Sequence, residues 1–221
     1  MNKKEPSPVY YPIFLNINNK RCVVIGGGQV ALRKVKTLLE YGARIDVISP
    51  ALCPELIVLA GNRQARVSSR HYQPRDLAKA FLVIAATDNR ETNYQIAQEA
   101  RRQAVLVNVV DDAENSDFIL SATVRRGDIT IAISTAGRSP ALARKIRTQL
   151  EQDFGEEYAV LAQLIGEVRR ELKQRSVRID KETWQDALEL NLLTSLVKQG
   201  QTEKVRDLLV KHLLEQHNEV R

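Results

Sequence analysis

Apolar residues run unbroken from Cys22 to Ile25, three glycines follow, and then Leu32, Val35, Leu38 and Leu39 recur at helical spacing. Arg33, Lys34 and Lys36 fall on the other faces of that helix. The pattern predicts strand, tight turn and helix across residues 21–39, with Gly42 suited to the left-handed position beyond the helix end. Residues 44–48 read as a second strand closed by Ser49 and Pro50. A helix over 54–61, a weak strand over 65–68, a short helix over 76–80 and a buried strand over 81–85 come next. A helix over 91–103 leads to a fifth strand over 105–110, which ends in Asp111 and Asp112. Strands alternating with helices in this way predict an α/β fold, a Rossmann-like doubly wound parallel sheet with right-handed crossovers.

Beyond residue 112 the pattern changes. Residues 116–124 and 129–134 are strand-like and joined by Arg125, Arg126, Gly127 and Asp128, which is hairpin chemistry. Ser139 at an N-cap and Pro140 at the first helical position start a helix running to about Gln152. Residues 156–221 are helical throughout by periodicity, with Gly200 as the break before a last helix that Thr202 could cap. At the other end, residues 1–8 are polar and proline-containing, and residues 10–17 form a short apolar segment followed by an Asn18-Asn19 turn. The expected organisation is a Rossmann domain over 1–112, a small α+β segment with hairpin and basic helix over 113–150, and a helical C-terminal domain over 151–221.

Composition narrows the class. At 43% hydrophobic and 27% charged, the chain is an ordinary soluble globular protein, and no uncharged run approaches the roughly 20 apolar residues that span a bilayer. The uncharged stretch from Val9 to Asn19 contains Pro12 and lacks a small-residue cleavage site, so it does not read as a signal peptide. Cys22 and Cys53 sit in contexts suited to reduced thiols, which points to the cytoplasm. Two cysteines and three scattered histidines offer no dedicated metal site. The net charge of +6 is compatible with nucleic acid, an anionic membrane, a polyanionic small molecule or mere solubility. Its distribution is more telling, because residues 129–150 contain no acid but do contain Arg138, Arg144, Lys145 and Arg147.

Candidate chemistry begins at Gly26, Gly28 and Ala31, which fit G-x-G-x-x-G/A between a strand and a helix. The first glycine permits the turn, the second admits a pyrophosphate to the backbone and the helix start, and the small third residue lets helix and strand pack closely. The acid that usually holds the adenine ribose at the end of the second strand is replaced by Ser49, and Asp46 stands too early to substitute. No arginine takes the place either, and the expectation is NAD rather than NADP. Thr87, Asp88 and Asn89 follow the fourth strand at its carboxyl end, as cofactor contacts or as the cap of the next helix. Asp111 stands at the end of the fifth strand, where a carboxylate facing an apolar cleft would suit general acid–base work near neutral pH; the other reading is that Asp111 and Asp112 cap the next hairpin. The helix start at Ser139, with Arg138 beside it, is a second candidate anion site.

The segments 12–43, Ala85 to Asp88 (AATD), Asn108 to Asp112 (NVVDD) and 118–147, together with the helical tail, resemble the precorrin-2 dehydrogenase and sirohydrochlorin ferrochelatase family of siroheme synthesis, the type found as the N-terminal half of siroheme synthases. The resemblance runs from Tyr11 to about Leu172. It implies NAD-dependent oxidation of precorrin-2 to sirohydrochlorin in a homodimer whose contact is built largely from the segment 113–150. It assigns Asp111 as the essential catalytic aspartate, and Gly28, Gln29, Val30, Ser49 and Pro50 as cofactor contacts. It also places Asn108 and Ser139 near the tetrapyrrole. The eight carboxylates of precorrin-2 would account for the basic segment, with Arg125, Arg126, Arg138 and Arg144 as anchors. The methyltransferase portion of trifunctional members has no counterpart in this sequence. Ferrochelation with Fe²⁺ as substrate stays open, since no histidine or cysteine cluster stands out. Neither nucleic acid nor membrane is an expected partner. Short-chain dehydrogenases are disfavoured because no tyrosine has a lysine four residues on. The rival of a different class is a non-enzymatic dinucleotide-sensing module, which needs neither Asp111 nor an anion-receiving helix at Ser139.

Overall fold

The computed structural model describes residues 9–219, so the polar opening 1–8 lies outside the described residues. Contacts divide the chain into two units, residues 1–120 and 121–221.

The first unit contains β1 (Arg21–Ile25), α1 (Gln29–Glu40), β2 (Arg44–Ile48), α2 (Pro54–Gly61), β3 (Ala65–Ser68), β4 (Leu82–Ala85), α3 (Arg90–Arg102) and β5 (Leu106–Val109). All five strands are parallel in the order β3-β2-β1-β4-β5. Alternation along each strand divides the core. Cys22 and Val24 face one layer with Ala31, Leu32, Val35 and Leu38 of α1 and Leu56 of α2. Val23 and Ile25 face the other, with Ile96, Ala97 and Ala100 of α3. Both faces are therefore covered, as a doubly wound sheet requires. Ala31, at 0% exposure, is the close contact between helix and strand. Both cysteines are free, and burial pushes the Cys22 thiol up to about 11, so it packs as a neutral group.

Two sequence expectations are corrected in this unit. Residues 76–80 form turns, not a helix. Arg75 and Lys79 take left-handed backbone (φ 80° and 61°), and two arginines outside the segment hold it. Arg21 donates to the carbonyls of Asp76 and Ala78, while Arg70 reaches both carboxylate oxygens of Asp76 at 2.7 and 2.8 Å. Residues 116–121 are likewise irregular. They cover the open edge of β5 with side chains: Val107 N–H donates to Asp117 Oδ2, and Val109 N–H to Ser116 Oγ. The apolar segment 10–17 is irregular too, exposing Tyr11 and Phe14 but burying Ile17.

The Asp76 clamp sets a pH dependence. Burial pushes its carboxyl upward, but the Arg70 hydrogen bonds, the Gln73 N–H and the charges of Arg70 and Arg21 outweigh that and hold it below the ordinary carboxylate value. A depressed folded-state pKa contributes stability above the unfolded value, lost as pH falls through the folded one. Asp76→Asn should therefore cost about 2 kcal/mol at pH 7, with the gap to the parent narrowing in urea titrations as pH falls below the ordinary carboxylate value and through the depressed one. A gap unchanged across that range would count against the clamp.

The second unit contains β6 (Ala122–Arg126), β7 (Ile129–Ile133), α4 (Pro140–Asp153), α5 (Glu157–Gln174), α6 (Lys181–Ala187), α7 (Leu190–Lys198) and α8 (Thr202–Glu219). The hairpin β6–β7 is antiparallel, with Gly127 at φ 56° in its turn. Arg126 fixes it to the end of α4 by donating to the carbonyls of Phe154 and Glu151. The tail is not one continuous helical run with a single break. Ser176 at φ 59° ends α5, and Asp180 caps α6 by accepting from Thr183 N–H. Thr202 is the first residue of α8 and not its cap. Leu161, Val168, Leu172, Leu193, Leu196, Leu209 and Leu213 form the core of these helices.

Candidate functional site

The three glycines of the β1–α1 turn have three different environments. Gly26 takes φ +129°, open only to glycine, and a Cβ there would stand 2.2 Å from the Ala86 carbonyl oxygen. A Cβ on Gly27 would stand 1.9 Å from the Ala51 carbonyl oxygen, and the Gly27 carbonyl accepts from Cys53 N–H at 2.8 Å. A Cβ on Gly28 would meet nothing within 4 Å. The first two glycines thus weld the turn to the ends of β4 and β2, and the third leaves open space. Gly28 is also the N-cap of α1, with no side-chain cap and no acid in the first turn. The leading N–H groups of that helix lack intrahelical acceptors, and the dipole favours an anion there. Open backbone, free donors and no competing carboxylate in the first turn fit a dinucleotide pyrophosphate. Gln29 is exposed and Val30 partly so, both beside that opening.

The turn after β2 closes one side. Ser49 is buried and its hydroxyl donates to the Ala51 carbonyl at 2.7 Å, which shapes the loop that meets Gly27, while Pro50 is exposed. Asp46 is held by Arg21 at 2.6 Å, so the early acid of β2 has a structural partner. The turn after β4 closes another side. There Thr87 Oγ1 donates to Asn93 Oδ1 at 2.7 Å, the Asn93 amide donates back to the Thr87 carbonyl, and Asp88 is exposed. The helix cap belongs to Asn89, whose side chain accepts from Thr92 N–H.

The two aspartates after β5 differ. Asp112 accepts from the backbone and side-chain N–H groups of Asn115, and its carbonyl accepts from Ser116 Oγ, so it is the one that organises the following turn. Asp111 takes left-handed backbone (φ 60°) and is exposed, and among the described residues its carboxylate has no hydrogen-bond partner. Half-buried Lys34 of α1 lies within its electrostatic reach. Burial and the charge of Arg33 lower the Lys34 ammonium pKa, and Asp111 opposes them. Asn108 is buried and donates to the Phe118 carbonyl at 2.9 Å.

In the second unit, Ser139 caps α4 by accepting from Leu142 N–H at 3.2 Å, with Pro140 at the first helical position. Arg138, Arg144 and Lys145 are exposed. Arg125 is exposed and donates to the Gly127 carbonyl, whereas Arg126 is occupied by the carbonyls that anchor the hairpin. Sequence reading passed over Gly27 and Lys34. Gly27 was concealed inside a triplet where only the first and third glycines fit the motif. Lys34 fell outside the apolar stripe, where periodicity alone gives it no partner.

Among the described residues no helix is long and apolar enough to cross a membrane, and no group of three or more His, Cys, Asp or Glu is placed to hold a metal ion.

The chain is similar to several known proteins. An NAD(P)-binding family model matches residues 13–122, and the model for the central part of sirohaem biosynthesis proteins matches residues 126–153. Siroheme synthase 1 of Aeromonas salmonicida (strain A449) is 36% identical over 90% of this chain and 43% of its own length. The siroheme synthase of Photorhabdus laumondii (strain DSM 15139) is 37% identical over 92% of this chain and 44% of its own. The chain therefore spans less than half the length of these relatives. Among solved structures, SirC, a precorrin-2 dehydrogenase, superposes with a TM-score of 0.68 at 24% identity, covering 95% of this chain and 100% of that one, which shows a shared fold.

Proposed function

The chain belongs to the siroheme synthase family, and from that premise we propose that it oxidises precorrin-2 to sirohydrochlorin, with NAD⁺ as the hydride acceptor. The observation that carries the reading is the pair of features at the carboxyl ends of one sheet: the open Gly28 backbone at the α1 start and the exposed Asp111 after β5, whose carboxylate has no hydrogen-bond partner among the described residues. The first fits the dinucleotide, and the second is a carboxylate available for a proton. When bound, NAD⁺ supplies the hydride acceptor. Asp111 takes the proton that leaves with the hydride, extending the conjugation of the macrocycle. Gly26 and Gly27 fix the turn, and Gly28, Gln29 and Val30 receive the pyrophosphate. Ser49, Pro50, Thr87 and Asp88 border the cofactor, and Asn108 holds the backbone at Phe118.

Arg125, Arg138 and Ser139 are proposed contacts for the substrate's carboxylates, supported by the exposed cations and capped helix start at Arg138–Ser139. A homodimer is proposed through residues 113–150, where Leu142 and Ile146 leave apolar surface in solvent. A cytoplasmic location is the matching expectation. Fe²⁺ insertion into sirohydrochlorin is a separate activity to be read in the same assay.

The test is turnover of precorrin-2 with NAD⁺ and with NADP⁺, followed by reduced-nucleotide absorbance and the sirohydrochlorin spectrum, then addition of Fe²⁺ without nucleotide. One reduced nucleotide per sirohydrochlorin is expected, faster with NAD⁺. A protein that bound dinucleotide but left precorrin-2 untouched would be the sensing module instead.

A further inference from the structure

We propose that Glu55 is the residue that selects NAD over NADP, taking over the role usually given to an acid at the end of the second strand. This inference rests on the dinucleotide reading of the β1–α1 turn. The place at the strand end is filled by Ser49, turned inward to Ala51, and Asp46 is engaged by Arg21. The acid comes instead from the next helix. Pro54 starts α2 at its first position and Glu55 is the residue after it. The loop that delivers them cannot drift from the cofactor turn, because Cys53 N–H donates to the Gly27 carbonyl and the Gly27 Cα lies hard against the Ala51 carbonyl. As a result the Glu55 carboxylate stands 3.4 and 3.5 Å from the side-chain amide nitrogen of Gln29, the first residue of α1 and the neighbour of open Gly28.

A dinucleotide whose pyrophosphate meets that helix start carries its adenine ribose toward the β2 side of the turn. There an exposed carboxylate can accept from ribose hydroxyls, whereas a 2′-phosphate would bring a second anion beside it. The charge is present at any neutral pH: its own backbone N–H at the helix start, the Gln29 and Cys53 side chains and the charge of Lys36 together hold the Glu55 carboxyl below its ordinary value, against desolvation. Lys36 is the cation among these influences. Glu55 meets Gln29 directly, which sets its carboxylate beside the opening at Gly28.

The experiment uses direct binding, so that it does not depend on the substrate. NADH and NADPH are titrated by fluorescence against the full chain, Glu55→Gln and Glu55→Arg, with circular dichroism to check that each variant is folded. The parent should prefer NADH by about tenfold or more, Glu55→Gln should tighten NADPH by about tenfold with NADH changed less than about threefold, and Glu55→Arg should reverse the preference. A parent that prefers NADPH, or an undiminished NADH preference in a folded Glu55→Arg protein, overturns the role of Glu55 while leaving dinucleotide binding intact. Failure of both nucleotides to bind the parent overturns the dinucleotide reading and this inference with it.

Discussion

Asp111→Asn is expected to lower the rate of precorrin-2 oxidation by about 10³-fold while leaving NADH affinity within about threefold of the parent. Asparagine is the informative replacement, because Asp111 sits at φ 60° and asparagine tolerates left-handed backbone at least as well as aspartate does. Alanine would add backbone strain to the loss of the carboxylate and mix two effects. The neighbouring substitution separates position from chemistry. Asp112→Asn removes the charge of a carboxylate already used by Asn115, so it should lower stability more than turnover. Steady-state kinetics with saturating NAD⁺ measure the first effect and denaturant titration the second. Normal oxidation by a folded Asp111→Asn protein would remove Asp111 from the mechanism and return the site to cofactor binding alone.

The glycine turn offers the second large effect. Gly26→Ala and Gly27→Ala each drive a methyl group against backbone carbonyls, of Ala86 and Ala51 respectively, and neither carbonyl ends a flexible side chain that could swing away. Gly26 adds the strain of φ +129°. Each substitution should cost about 3 kcal/mol or more, through overpacking in both and backbone strain in the first. Gly28→Ala meets open space, so its effect on stability should be about 1 kcal/mol or less. It should nonetheless weaken NADH by about tenfold, since the methyl group occupies the room through which a pyrophosphate reaches the backbone. Urea titration beside NADH titration separates the two kinds of glycine. Equal losses of stability in all three variants would mean that the turn is simply tight and has no opening.

The pattern of residues by itself determined the parallel sheet and most of its helices. Residues 44–48, 65–68 and 54–61 begin and end where sequence places them, because each is bounded by residues with a local conformational reason to stop: Ser49 and Pro50, the polar segment after Ser68, and Pro54 at a helix start. Cys22 to Ile25, buried on both faces, had to lie within a covered sheet. The Ser139-Pro140 start of α4 and the Gly26-to-Ala31 turn were legible for the same reason, since caps and left-handed glycines act over a few residues.

What needed the tertiary structure was every feature decided by a distant partner. The segment 76–80 has helical spacing, but Arg21, brought from β1, binds its carbonyls, Arg70 six residues upstream binds its aspartate, and together they hold it as turns. Residues 116–121 have strand composition, yet Ser116 and Asp117 complete the edge of β5 with side chains, which removes the pairing that a further strand would need. Periodicity joins the tail into one helical run, and only packing around Leu161, Leu193 and Leu209 requires it to fold back on itself. At the candidate site, two adjacent aspartates were equivalent in sequence until Asn115 and Ser116 engaged Asp112, while the Asp111 carboxylate has no hydrogen-bond partner among the described residues. The acid proposed to face the adenine ribose likewise could not be read along the strand. Glu55 reaches the cofactor turn from the next helix, a proximity that exists once Gly27 closes against Ala51. Local conformational preference is written in a few neighbouring residues, whereas the competition for a hydrogen bond is settled only when the chain has brought the competitors together.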